Sequence, residues 1–148
     1  MAEQSSIEDE ITCKILLLGP RGAGKTSNLL ALKEQINLKN SEINNDLRSY
    51  FVEQRGLYYK FLPLKLDAYK NSVFRLHLFS CDFPLPYKSL QKLLWQSVDA
   101  FFFVYDSQIS KMGENLDFFQ MIKKLSLKEG YNLQKVPQVI RYNKRDLN

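Results

Sequence analysis

Apolar and polar positions alternate along the chain in blocks of two kinds. Ile11 to Leu18 (ITCKILLL) is nearly continuous apolar sequence ending at Gly19, the pattern of a strand buried on both faces of a parallel sheet. From Lys25, KTSNLLALKEQINL places Leu29, Leu32 and Ile36 on one helical face, with Leu30 and Ala31 widening it, and the polar stretch Asn37 to Asn45 ends the element. Leu57 to Leu64 and Val73 to Phe79 read as two strands joined by the turn-like KLDAYKNS, hence an antiparallel pair. Leu90, Leu93 and Leu94 form a short helical stripe beside Trp95, and Val98 to Tyr105 (VDAFFFVY) is a second fully buried strand interrupted only at its start, by Asp99. Leu116, Phe119, Ile122 and Leu125 recur at helical spacing within Glu114 to Leu127; Gly130 stops that helix, and Pro137 leads into an apolar strand, Gln138 to Tyr142.

This order predicts an α/β fold with about five strands in a mostly parallel sheet, covered on both faces, with ligands at the carboxyl ends of the strands. A length of 148 residues suits one domain. Residues 1–10 read as a polar acidic tail, with Glu3, Glu8, Asp9 and Glu10 and no base, and residues 11–148 as the folded unit. The formal charge is +5, so the part after the four tail acids carries +9. Such a surplus favours an anionic partner, but no Arg-rich run or aromatic-basic interleaving marks a nucleic-acid surface. A nucleotide meets the same demand. The start lacks the basic and apolar regions of a secretory signal, and no apolar stretch is long enough for an integral membrane segment, so a cytoplasmic protein is expected. Cys13 and Cys81 support neither a disulfide framework nor a tetrahedral zinc site.

Gly19-Pro20-Arg21-Gly22-Ala23-Gly24-Lys25-Thr26 matches G-x-x-x-x-G-K-[ST] and lies between a predicted strand and a predicted helix, the context that motif requires. Backbone N–H groups of the loop and of the first helical turn, through Ser27, are expected to converge on the β-phosphate. Lys25 would bridge the β- and γ-phosphates and assist catalysis, and the Thr26 hydroxyl would ligate Mg2+. At the other end, Asn143-Lys144-Arg145-Asp146 follows a strand and has the N-K-x-D form of a guanine-recognition motif. A carboxylate at Asp146 accepts from both guanine N1–H and the exocyclic amine, whereas adenine presents no donor at either place. Asn143 would bind N7 and brace the phosphate loop, and Lys144 would lay its alkyl stem over the ring. GTP or GDP is therefore expected in preference to ATP.

These motifs, with the phrases GKTSNL (Gly24 to Leu29), FLPL (Phe61 to Leu64), RLHLF (Arg75 to Phe79), VYDSQ (Val104 to Gln108) and Gly130 to Leu147, make the chain resemble the MglA-like small GTPases of bacteria. These are Ras-like switches of polarity and gliding motility. The resemblance covers almost everything after the tail. It implies a P-loop NTPase fold, alternation between GTP- and GDP-loaded forms, and a roadblock-type dimeric protein as regulator. It also implies that residues 11–148 are a partial Ras-like G domain lacking the last helix-strand-helix unit. The strand ending near Tyr142 would then have an open edge suited to self-association.

The departures from the family pattern fall where hydrolysis would be carried out. The resemblance makes Arg55 an intrinsic arginine finger, but Gly56 follows it where the family has a magnesium-binding Thr, and Lys60 replaces an acidic residue. The second-switch pattern T-V-P-G-Q is here Ser80-Cys81-Asp82-Phe83-Pro84. Proline cannot orient a water, and Phe83 replaces a flexible glycine. Arg21 stands where the family has a glycine, beside the expected γ-phosphate. The combined reading is a guanine-nucleotide-binding switch or scaffold with weak or absent hydrolysis. The alternatives are an active GTPase with a roadblock-type activator and a nucleotide-independent interaction module. His77 and Phe101 to Phe103 read as packed strand residues; Tyr58 and Tyr59 fit either sheet packing or partner contact.

Overall fold

A computed structural model describes residues 9–39, 50–54, 57–69, 72–85 and 88–147. Six strands, β1 (Asp9–Leu18), β2 (Tyr50–Gln54), β3 (Leu57–Tyr69), β4 (Ser72–Cys81), β5 (Ala100–Asp106) and β6 (Gln138–Asn143), form one sheet in the order β2-β3-β4-β1-β5-β6. β4, β1, β5 and β6 run parallel, while β2 with β3 and β3 with β4 pair antiparallel. Helices α1 (Lys25–Lys39), α2 (Lys88–Trp95) and α3 (Met112–Lys128) complete the fold. The α/β class, the mostly parallel sheet and the β3/β4 antiparallel pair agree with the sequence pattern; the strand number does not. The additional strand β2 (YFVEQ) pairs Tyr50 with Phe61 and Gln54 with Leu57, so a segment with no alternating pattern of its own becomes a strand through its partner.

Two hydrophobic layers explain the continuous apolar strands. Leu16, Leu18, Phe101 and Phe103 point into one layer with Leu94, Trp95, Phe118, Ile122 and Leu133. Leu17, offset by one residue, packs on the opposite face with Leu29, Leu64 and Leu78, and Phe102 joins it there. This is the two-residue alternation of a strand with helices on both sides: α2 and α3 cover the aromatic-rich face, α1 the other. β1 is doubly buried only at its carboxyl half; it begins at Asp9 rather than Ile11, and its first four residues are exposed.

Several helical faces differ from the sequence expectation. On α1, Leu29 is buried and Leu32 half-buried, but Leu30 and Ala31 are exposed and do not widen the packed face; the side chain of Ile36 lies outside the described residues. On α2 the buried residues are Leu94 and Trp95, whereas Leu93 is exposed. α3 packs Phe119, Ile122 and Leu125 of the expected stripe against the core but leaves Leu116 exposed, and it buries Phe118 and Ser126 as well. It ends as expected before Gly130, whose φ of 86° belongs to a helix-terminating glycine. His77 sits half-buried, edge-on to Phe61 at 5.3 Å.

Polar groups join the elements where the apolar pattern breaks. Asp99, the acid at the start of the apolar run, accepts from the Lys14 backbone N–H at 2.7 Å through Oδ2 and donates its own N–H to Lys14 O at 2.9 Å. The Lys14 ammonium reaches the carbonyls of Leu93 and Gln96 at the carboxyl end of α2, at 3.1 and 2.7 Å, where the helix dipole favours a cation. Among the described residues no helix is long and apolar enough to cross a membrane.

Candidate functional site

Four parallel strands end at one edge of the sheet, and each delivers part of a polar site. β1 runs into the Gly19-to-Lys25 loop, β4 into Asp82, β5 into Asp106 and β6 into Asn143. A ligand site at the carboxyl ends of parallel strands is what this architecture favours, because the loops there meet the amino termini of the following helices.

The glycines of the loop are needed for close approach and for backbone shape. A Cβ on Gly19 would collide with the Val104 carbonyl oxygen of β5, and one on Gly24 would collide with the Asn143 side-chain amide. Gly22 and Gly24 have φ values of 79° and 103°, a region that costs side-chain-bearing residues energy. Ala23 N–H donates to Pro20 O at 3.2 Å, closing the turn, and Asn28 N–H donates to Gly24 O at 3.0 Å, beginning α1.

Lys25 is the buried cation of the loop, only 7% exposed. Its Nζ donates to Gly19 O at 2.7 Å and Pro20 O at 3.0 Å and stands 3.0 Å from Asp82 Oδ1. Asp82 Oδ2 is 3.9 Å from Nε of Arg21, which is itself well exposed. A cavity of about 270 Å³ lies between the loop, at Gly22, Gly24, Lys25, Thr26 and Ser27, and the β4 end, at Ser80, Cys81 and Asp82. Burial pushes the Cys81 thiol up to about 12, against the opposing pull of Lys25, so at neutral pH it is a neutral wall of the cavity and no nucleophile.

The β6 end is tied to the same loop. Asn143 Nδ2 donates to Ala23 O at 3.1 Å across a sequence separation of 120 residues. Lys144, with φ 59°, turns its ammonium onto Asp106 Oδ2 at 2.9 Å. Leu147 N–H then donates to Lys144 O at 3.1 Å, closing a turn that presents Asp146 to solvent. Asp106 is buried at 4% exposure. The Gln108 backbone N–H, and after it the Lys144 ammonium, hold its carboxyl below the ordinary carboxylate range. Asn115 on α3 donates to the Asp106 carbonyl at 2.7 Å, fixing the helix to the strand end.

The structure thus brings together Gly19, Arg21, Gly22, Ala23, Gly24, Lys25, Thr26, Ser27, Asn143 and Lys144, and leaves Asp146 exposed in the turn that follows Asn143. Arg55 and Gly56 lie outside the described residues, as do the side chains of Tyr58, Tyr59 and Lys60. Neither motif of the sequence includes Asp106 or Asn115, although a carboxylate at the carboxyl end of a buried strand is a recognisable signal. Asp82 contacts the loop lysine directly, a contact that no local sequence pattern indicates. Among the described residues no group of three or more His, Cys, Asp or Glu side chains stands together as a metal site.

No protein-family model matches the chain. Among curated proteins, the mutual gliding-motility protein MglA of Myxococcus xanthus (strain DK1622) is 38% identical over 139 residues, which cover 93% of this chain and 70% of that protein.

Proposed function

The chain belongs to the family of the gliding-motility protein MglA, and from that premise we propose that it is a guanine-nucleotide-binding switch or scaffold protein, serving cell polarity or motility, with weak or absent GTP hydrolysis. One observation carries the nucleotide reading: the Asn143 amide holds the Ala23 carbonyl at 3.1 Å, so the base motif and the phosphate loop form one site although they stand at opposite ends of the sequence. In this reading the loop amides and the Lys25 ammonium take the phosphates, and Asp146 takes the guanine edge. Lys144, its ammonium anchored on Asp106, offers its alkyl stem to the ring.

The cavity offers hard oxygen donors at Thr26, Ser27 and Ser80, which suits Mg2+. An ion there would take the Thr26 hydroxyl and obtain its remaining ligands from phosphate and water, as magnesium commonly does at phosphate sites. Its chemistry would be charge neutralisation on the phosphates.

The base assignment is tested by titrating nucleotide-free protein with GDP, GTP and ATP in a calorimeter. Guanine nucleotides bind and ATP does not compete; Asp146→Ala narrows the gap between GTP and ATP by about 1 to 3 kcal/mol. Equal binding of ATP and GTP by the unsubstituted protein removes Asp146 from this role, and no binding of any nucleotide favours a nucleotide-independent interaction module.

Slow hydrolysis follows from the segment after β4. Phe83 is buried at 8% exposure against Trp95, with ring centroids 5.9 Å apart, so the segment after β4 is anchored in the core. Pro84 offers no side-chain donor or acceptor. Asp82, the one described carboxylate lining the cavity, faces Lys25 and Arg21. Single-turnover phosphate release, with and without a roadblock-type dimer as partner, is expected to stay well below about one per second; rates above that overturn the hydrolysis part of the reading.

A further inference from the structure

Asp82 meets the two cations of the Gly19-to-Lys25 loop at once. Oδ1 lies 3.0 Å from Lys25 Nζ and Oδ2 lies 3.9 Å from Arg21 Nε, so both carboxylate oxygens face positive charge. Lysine has three N–H donors, and those of Lys25 are engaged by Gly19 O, Pro20 O and Asp82.

The order of the sheet identifies which end of a nucleotide this arrangement faces. The base motif follows β6 and the loop follows β1, whereas Asp82 follows β4, on the side of β1 away from β5 and β6. A nucleotide with its base at the β6 end and its phosphates over the loop points its terminal phosphate toward β4. We infer that Asp82 is the residue that sets the choice between guanosine diphosphate and triphosphate, its carboxylate taking on Lys25 the place that a γ-phosphate requires. The inference rests on the guanine-nucleotide reading above and adds to it a specificity determinant.

The physical argument is competition between two oxygen anions for the same donors. Carboxylate and phosphate both form charge-assisted hydrogen bonds to an ammonium. A diphosphate draws on the loop amides and on the charge of Lys25 at its β-phosphate, and so leaves the Asp82 carboxylate in place. A triphosphate must either displace the carboxylate or bring a further negative charge against it, and like charges at such separations are costly where water is partly excluded. Arg21 strengthens the effect by attracting the same carboxylate from the solvent side.

The experiment titrates the nucleotide-free chain, as wild type, Asp82→Asn and Asp82→Glu, with GDP and with a non-hydrolysable GTP analogue at fixed Mg2+. Wild type is expected to favour GDP by about tenfold or more; Asp82→Asn raises affinity for the analogue about tenfold and changes GDP affinity less than about threefold. Asp82→Glu keeps the preference for GDP, which separates the charge from the shape of the side chain. Thermal melts of the three proteins check that each is folded, as expected for a side chain that is 57% exposed. If Asp82→Asn leaves the ratio unchanged, strengthens both ligands equally or weakens the analogue, the inference is overturned while guanine binding stands. If no form binds either nucleotide, the inference fails together with the reading beneath it.

Discussion

Replacing Lys25 by alanine is expected to reduce guanine-nucleotide affinity about a thousandfold, or roughly 4 kcal/mol. The size of the loss comes from what remains after the ammonium is removed. Lys25 is held in place by the carbonyls of Gly19 and Pro20 at 2.7 and 3.0 Å, and its charge faces Asp82 at 3.0 Å. Without it, two carbonyl oxygens and a carboxylate confront the phosphates, so a favourable ordered contact becomes a cluster of electronegative atoms. Lys25→Arg is expected to restore little, because a planar guanidinium cannot take the compact place of an ammonium beneath the loop. Calorimetry with GDP, accompanied by a thermal melt, decides the matter. Undiminished binding by a folded Lys25→Ala protein would remove the loop from the site.

The second large effect is on stability. Trp95→Ala is expected to cost about 3 to 5 kcal/mol and to lower the melting temperature by about 10 °C or more. Trp95 is 1% exposed and stands at the centre of an aromatic group, its ring centroid 5.3 Å from Phe101 and 5.9 Å from both Phe83 and Tyr131. Its indole N–H has no hydrogen-bond partner among the described residues, so the loss is one of packing and not of polar contact. Trp95→Phe, which keeps a ring in the space, should cost only about 1 to 2 kcal/mol. Because Phe83 follows Asp82 directly, Trp95→Ala should also loosen the segment that reaches Lys25. Urea unfolding of the two variants measures the difference, and equal stabilities would contradict this view of the core.

Only part of this was open to a reader of the sequence, and the division has a physical basis. Strand β5 was legible because AFFFVY can be accommodated only between two covered faces, and the structure places Phe101 and Phe103 in one layer and Phe102 in the other. The loop motif and the Asn143-to-Asp146 motif were legible because their chemistry lies in consecutive residues at set spacing. Which face of a helix is buried is a different kind of fact. On α3 the spacing admits a stripe through Leu116, Phe119, Ile122 and Leu125, of which Ile122 is buried and Phe119 and Leu125 pack against the core, while Leu116 is exposed and Phe118 and Ser126 are buried instead. That choice comes from the position of the helix against β5, fixed in part by the bond from Asn115 to Asp106 O. Strand β2 likewise exists through pairing with β3, which no local pattern announces.

The sequence by itself therefore determined the alternation of strands and helices, the two motifs and the family, all of which depend on neighbours along the chain. The tertiary structure alone decided that Asn143 holds Ala23, that Lys144 rests on Asp106 and that Asp82 lies on Lys25. Each of these contacts depends on the sheet order β4-β1-β5-β6, which brings the ends of distant strands to a common edge and makes side chains far apart in sequence compete or cooperate for the same charge.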